Sequence, residues 1–344
     1  MKISICIPQY NRIAFLKIAL EEIEQQNYRD IEICIADDAS SDNTQQEIEQ
    51  LKTSYKFPIN YHRFETNQGY DKNLRKSMEL ASGDYCFILG NDDSLSDNAA
   101  ISRLVDFLKI NNLPDVGFCN SSDYINTNDV QIRAKSTQVI GTGTEVALKY
   151  YSSFSFVAGL IFKKDVFNLY NTDAYDGSIY VQIFLATAII TNGGSLFTFA
   201  EALVRKDIRV NEALANSYRD TLPRKWRDFK ALDAGLPSYS KVAFEGISQS
   251  DTKKPEIAYK IMKRIYLFTY PFWLIDYRQN KAFVASTGLA NGLKPSKFIF
   301  YKKLTFGNRI KINMLYGLSS LAGLLTPIWI FTKLKNNLYS IAKS

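Results

Sequence analysis

The sequence predicts an α/β fold with a mostly parallel, doubly wound sheet, followed by a helical, basic C-terminal region. Three observations carry that expectation. Over residues 1–125, short apolar strands alternate with segments of helical apolar spacing. Loops rich in Asp, Asn and Ser follow strands one, two and four, all on the edge where open α/β sheets take their ligands. After about residue 205 the strand pattern gives way to helical stretches. The expected domains are 1–210 and 211–344.

Taken in order, residues 2–8 (KISICIP) form a β-branched strand, and Tyr10-Asn11-Arg12 forms a turn. Residues 13–26 carry Phe15, Leu16, Ala19, Leu20 and Ile23 at helical spacing. A second strand, 31–36, ends in the polar run 37–44, whose Ser and Asp residues suit a helix N-cap. A helix follows through Leu51, then a third strand at 59–64. The loop 67–73 opens a helix to about Ala81. Residues 85–89 (YCFIL), bounded by Gly83 and Gly90, read as a fully buried strand, and Val116–Cys119 as a fifth. Residues 125–150 read as edge strands or loop, 154–162 as an apolar run, 179–190 as a helix and 196–199 as a strand. Helices are expected over 225–285, with Pro271 breaking the basic, aromatic stretch 254–277.

Cys6, Cys34, Cys86 and Cys119 all lie inside strand-like runs with no metal-type spacing, and read as buried reduced thiols. A single histidine, His62, excludes a His-based metal cluster. No signal peptide is evident. The net charge of +7 conceals an asymmetry: residues 1–125 hold 12 Lys+Arg against 20 Asp+Glu, whereas 251–344 hold 16 against 3. Residues 314–332 are uncharged and flanked by Arg309, Lys311, Lys333 and Lys335. We expect this segment to lie in or dip into an anionic leaflet, with a buried helix or a single crossing as alternatives. No nucleic-acid module is present, so the basic tail is not assigned to nucleic acid.

Directly after the buried strand at 85–89 stand Asn91, Asp92 and Asp93. Adjacent carboxylates at a strand end repel each other and lose water, but together they offer the clustered hard oxygens that a divalent cation needs. A solvated Asn-Asp-Asp turn is the other reading of the same residues.

The ordered series Ile7-Pro8-Gln9-Tyr10-Asn11-Arg12, Ile35 to Asp42, Asn67-Gln68-Gly69, Ala81 to Tyr85 and Asn91-Asp92-Asp93 resembles the GT-A fold of family 2 glycosyltransferases. Residues 69–73 with 89–93 resemble its O-antigen abequosyltransferase branch. The resemblance implies a nucleotide-diphosphate sugar donor, UDP-, dTDP- or CDP-linked. It places Pro8, Tyr10, Asn11, Arg12, Asp37, Asp38, Asn67, Gly69, Asn73, Arg75, Asn91 and Asp92 around the nucleotide. Tyr10 would meet the base or ribose, Asp38 would accept from the pyrimidine, and Asp37 would serve the loop. Asp92 and Asp93 would hold Mg2+ or Mn2+, with Asn91 standing where many relatives carry Asp.

Inverting transfer also needs a general base. The acidic pair usual in the family is missing from the helix beginning near Ser178, which leaves Asp176 and then Asp173 as candidates. Residues 154–159 would floor the acceptor side, and Arg205, Lys206 and Arg209 would either fold over the diphosphate or sit in solvent. The expected acceptor is a lipid-linked glycan of surface polysaccharide synthesis, at the cytoplasmic face of the cell membrane with peripheral contact. Two alternatives are a soluble transferase acting on a protein or teichoic-type polymer, and a nucleotide-sugar-binding protein with reduced catalysis.

Overall fold

The computed structural model describes residues 1–214, 235–249, 253–279 and 283–333. The chain divides into two compact units, Met1–Ser217 and Tyr218–Ser344.

In the first unit, β1 (Ile3–Gln9), α1 (Ile13–Glu24), β2 (Ile31–Asp37), α2 (Thr44–Leu51), β3 (Ile59–Arg63), α3 (Tyr70–Glu79) and β4 (Tyr85–Ile88) follow in strict alternation. A two-residue strand β5 (Ser94–Leu95), α4 (Ala100–Ile110) and β6 (Val116–Asp123) come next. The rest comprises β7 (Val130–Gln131), β8 (Gln138–Gly141), α5 (Thr144–Tyr150), β9 (Leu160–Lys163), α6 (Lys164–Tyr170), α7 (Val181–Thr191) and β10 (Leu196–Lys206). The main sheet runs β3-β2-β1-β4-β9-β6-β10-β5.

Pairs β3–β2, β2–β1, β1–β4 and β6–β10 are parallel. Strand β9 enters antiparallel to both β4 and β6. The apolar run 154–162 therefore supplies a central strand of reversed direction, and the sheet is mixed, though mostly parallel.

Strand alternation sorts the two faces. Ile3, Ile5, Ile7, Ile33, Ile35, Tyr85 and Phe87 join Leu16, Leu20 and Ile23 of α1 and Ile101, Leu104 and Leu108 of α4 in one core cluster. Full burial of each such side chain contributes about 1.5–3 kcal/mol. Cys6, Cys34 and Cys86 occupy the intervening strand positions and are fully buried free thiols. Helix α3 packs on β1 and β2. Helix α7 is buried along its whole length, as its apolar sequence requires.

In the second unit, helices span Leu236–Ile247, Lys254–Arg264, Tyr270–Gln279, Phe283–Gly292 and Phe306–Leu325. Pro271 does not end its helix. A π-helical turn at Ile265–Thr269 precedes it, and Pro271 stands in the first turn of the helix Tyr270–Gln279, where proline is tolerated. The uncharged stretch 314–332 is not one helix either: the segment begins earlier, at Phe306, and closes at Leu325 ahead of Pro327. Among the described residues no helix is long and apolar enough to cross a membrane.

Candidate active site

The carboxyl ends of β1, β2 and β4 meet through Gln9, the last residue of β1, which is fully buried. Its amide donates to Thr44 Oγ1 at 2.9 Å, and its Oε1 accepts from Asn91 Nδ2 at 2.7 Å. Its carbonyl accepts from Asn73 Nδ2 at 3.0 Å and from the Asp38 backbone N–H at 3.0 Å. One glutamine thus ties together the loops after three strands and the start of α3. Nothing in the local sequence distinguishes Gln9 from a solvated turn residue; its place at the end of a parallel strand between two others creates the role.

Arg12 reaches across this rim. Its Nη1 donates to Asn91 Oδ1 at 3.1 Å and pairs with Asp92 Oδ2 at 3.0 Å. Asn11 adopts φ +50°, a conformation asparagine tolerates, and its Oδ1 accepts from the Ser41 amide at 2.6 Å. Tyr10 stands 43% exposed beside it, its ring unburied at the mouth of the rim. Pro8 is half-buried within β1.

The two aspartates ending β2 organise loops. Asp37 accepts from the Ser40 amide at 2.9 Å and from the Tyr61 hydroxyl at 2.6 Å. Asp38 accepts from the backbone N–H groups of Gln68 at 2.5 Å and Gly69 at 3.0 Å. Burial raises the Asp38 carboxyl above its usual range, against these two bonds. Asp38 thereby shapes the 67–69 loop, and two of its four lone-pair sites remain for another donor. Gly69 sits at φ +87°, which favours glycine, and Asn67 Oδ1 accepts from its amide at 3.1 Å.

Asp93 is 6% exposed and turns back over Gly90, where a Cβ would collide with its Oδ2. Its Oδ1 accepts from the Asp207 amide at 3.2 Å. The Asp92 carbonyl accepts from Ile208 N–H at 2.8 Å, so the turn after β10 closes over the pair. Burial pushes the Asp93 carboxyl well above the usual carboxylate range, and the charge of Asp92 adds to the push. Burial also raises Asp92, against the pull of Arg12. Two partly desolvated carboxylates and the Asn91 carboxamide make a hard-oxygen set that fits Mg2+ or Mn2+. Among the described residues no group of three or more His, Cys, Asp or Glu side chains is arranged to hold a metal. The pair would therefore need oxygens from a bound ligand to complete a shell.

Arg75 and Asp176 are bonded to each other. Arg75 Nε donates to Asp176 Oδ1 at 2.9 Å and Nη2 to Oδ2 at 2.6 Å, a bidentate clamp. Its Nη1 donates to Asn171 Oδ1 at 3.1 Å. Its donors point at the 171–176 loop and tie that loop to α3. Asp176 likewise has both oxygens engaged, and Asp173 is exposed beside it.

Asp71, one turn before Arg75, accepts from the amides of Ile179 at 2.6 Å and Val181 at 3.0 Å and so caps α7 from another helix. The one local signal of Asp71 in the sequence is its i,i+4 spacing to Arg75, which marks a shared face.

Two further expectations also shift. Arg205 Nη2 donates to Glu22 at 2.8 Å and its guanidinium covers Tyr124, so it braces β10 against α1. Lys206 pairs with Asp207 at 2.9 Å. Arg209 lies in a short hairpin strand. In the 154–159 segment, Phe154 and Ala158 are fully buried. Buried Arg133 holds this segment through the carbonyls of Phe156 at 2.8 Å and Ala158 at 2.7 Å.

Known proteins resemble this chain in sequence and in fold. Residues 4–169 match the family model "Glycosyl transferase family 2". The chain is 33% identical over 218 residues to the abequosyltransferase RfbV of Salmonella typhimurium, covering 58% of this chain and 64% of that protein. It is 32% identical over 107 residues to the GalNAc(5)-diNAcBac-PP-undecaprenol beta-1,3-glucosyltransferase of Campylobacter jejuni, covering 30% and 33% of the two chains. The matches thus span a third to just under two thirds of these relatives. Among solved structures, S. aureus TarS 1-349 in complex with UDP-GlcNAc superposes with a TM-score of 0.62 at 14% identity, covering 92% of each chain, a likeness of fold. The first unit is similar in sequence to family 2 glycosyltransferases over residues 4–169 and to an abequosyltransferase, and has the fold of a solved glycosyltransferase structure.

Proposed function

We propose that the protein transfers a sugar, with inversion, from a nucleotide-diphosphate sugar to a hydroxyl of a lipid-linked glycan during surface polysaccharide synthesis. The observation that carries this reading is the adjacent pair of half-buried Asp92 and buried Asp93, set beside Arg12 and Asn91 at the rim held by Gln9. The names of the two bacterial relatives, one an abequosyltransferase and one acting on an undecaprenol-linked glycan, support the donor and acceptor classes. Such an acceptor places the enzyme at the cytoplasmic face of the cell membrane.

Asp92 and Asp93 would hold Mg2+ or Mn2+, which when bound neutralises charge on the leaving diphosphate. Tyr10 presents a ring for the base or ribose, and Asp38 has acceptor capacity left for a pyrimidine. Arg12 sits within reach of a phosphate oxygen arriving at Asp92. Asp71 and Arg75 fix the loop that bears Asp173 and Asp176, one of which takes the acceptor proton.

A second reading, a binding module without transfer, draws on the Arg75 clamp, because a carboxylate already accepting two N–H bonds is a poor proton acceptor. A thermal-shift screen of UDP-, dTDP- and CDP-sugars, with and without Mn2+, tests the donor. Metal-dependent stabilisation by one sugar nucleotide supports transfer chemistry when nucleoside diphosphate is also released. Stabilisation without release favours the binding module, and no stabilisation by any donor contradicts both.

A further inference from the structure

We infer that the helix Phe306–Leu325 is an in-plane docking surface for an anionic lipid bilayer. Its exposed large side chains follow one line: Phe306 at 79%, Ile310 at 47%, Met314 at 64%, Leu318 at 65%, Leu321 at 58% and Leu325 at 69% exposure. Their spacing of three and four residues puts them on one face, within an arc of about 120° at 100° per residue. Scattered exposed leucines need no explanation, but a stripe of six along one helix does. Trp329, 70% exposed, stands just beyond the helix end, where an indole suits a membrane–water boundary.

The stripe is not the face on which the helix folds. Ile312, Ser319 and Gly323 form the buried side. Ser319 Oγ donates to the Tyr266 carbonyl at 2.5 Å. Arg278 Nη1 donates to the carbonyls of Gly323 at 2.9 Å and Thr326 at 2.7 Å, satisfying the helix end. A Cβ at Gly323 would strike Leu274, so the two helices approach closely there. The helix is thus anchored on one side and apolar on the other.

Charge selects the occupant. Residues 277–344 contain eleven Lys and Arg and no Asp or Glu. Lys302, Lys303 and Lys311 are exposed near the amino-terminal half of the stripe, and Lys333 beyond its carboxyl end. Ile299, 68% exposed, extends the apolar surface among them. An apolar stripe edged by lysines complements acyl chains under anionic headgroups. A second copy of the same surface would bring like charges together with no carboxylate to offset them. Arg309 and Lys311 lie within the helix, and no described helix qualifies to cross, so the surface rests in the interface plane.

The inference concerns the second unit and goes beyond the transferase reading. Vesicle flotation of the full chain tests it, with phosphatidylglycerol-containing and pure phosphatidylcholine vesicles at low and high salt. We expect binding to the anionic vesicles, weaker by at least about tenfold on neutral ones. Leu318→Glu with Leu321→Glu should lose at least about tenfold in partitioning. Lys302→Glu with Lys303→Glu should flatten the salt dependence. Leu318→Ser with Leu321→Ser gives the same readout should the glutamates prevent folding.

Thermal shift with UDP-sugar should be equal in wild type and stripe variants, which separates failure of this inference from failure of the transferase reading. Wild-type protein that ignores anionic vesicles, or a stripe variant that binds them equally well, overturns the inference. So does a wild-type dimer, seen by light scattering, that the stripe substitutions convert to monomer.

Discussion

Two buried carboxylates at opposite ends of the same sheet behave in opposite ways. Glu32, on β2, lies at the amino ends of the strands and is 1% exposed. It accepts from Ser4 Oγ at 2.6 Å, the Ser82 amide at 2.6 Å, the Gly83 amide at 3.0 Å and Asn60 Nδ2 at 3.0 Å, and pairs with Lys2 at 2.7 Å. Burial pushes its pKa up, but Lys2, Ser4 and Ser82 outweigh that and bring it down to about 2. Asp93, at the carboxyl ends, is about as well hidden, yet it accepts from the Asp207 amide and faces the charge of Asp92, and its carboxyl is pushed up. A carboxylate with a full set of donors locks a fold. One held against another carboxylate with few donors keeps oxygens in readiness for a ligand, at some expense in stability.

The sharpest way to break this contrast is to neutralise each group. Asp93→Asn and Asp92→Asn should each cut sugar transfer by about 10²-fold or more in a steady-state assay, with the circular dichroism spectrum unchanged. Asp93→Asn should also leave the neutral-pH Tm equal or higher by a few degrees. The folded-state pKa of Asp93 is raised, so its stability contribution is complete below the unfolded value and is lost as pH rises through the folded one. Above the unfolded pKa the group therefore opposes folding, and the amide removes that opposition.

Glu32→Ala should do the reverse, losing about 3 kcal/mol in urea denaturation while donor-induced thermal shift survives. The sign in pH is also reversed. A depressed carboxylate stabilises above its unfolded pKa, so in wild type this contribution should fall as pH drops from about 4.5 toward 2, and the variant should lack that part of the acid transition.

Smaller effects sharpen the role of the 171–181 loop. Arg75→Lys keeps the charge but cannot make the bidentate clamp. It should lower kcat about tenfold with little change in donor KM, and lower Tm modestly. Asp176→Ala and Asp173→Ala, compared in the same assay, separate base from anchor. A base gives a loss of about 10²- to 10⁴-fold and removes a limb of the pH–rate profile, whereas an anchor parallels Arg75→Lys. Full activity in both variants moves the base elsewhere.

Much of this architecture was legible in the chain because its signals are local. Strands β1, β2 and β4 are continuous apolar runs, and the loops after them are polar, so their shared edge follows from parallel topology alone. Direction is not local: Leu160-Ile161-Phe162 reads as a buried strand either way, and only its neighbours β4 and β6 make it antiparallel. Partnerships across the chain are equally silent. Arg75 and Asp176 lie 101 positions apart, and Arg133 lies in a polar stretch with no signal of burial, yet both hold loops that frame the site. The loop-organising role of Asp38 was hidden for the same reason, since its partners are backbone amides. Helix limits in the second unit were blurred because charge alone defined 314–332, whereas Pro327 and the cap at Thr305 set the ends.

We propose that Asp92 and Asp93 bind a divalent cation together with a nucleotide diphosphate. Electron paramagnetic resonance of Mn2+, titrated into the full chain with UDP present, reads it directly. Wild type should give a stoichiometric bound signal that needs UDP and weakens as the solution is acidified, and Asp93→Asn should give none. Equal Mn2+ binding by wild type and Asp93→Asn would contradict it.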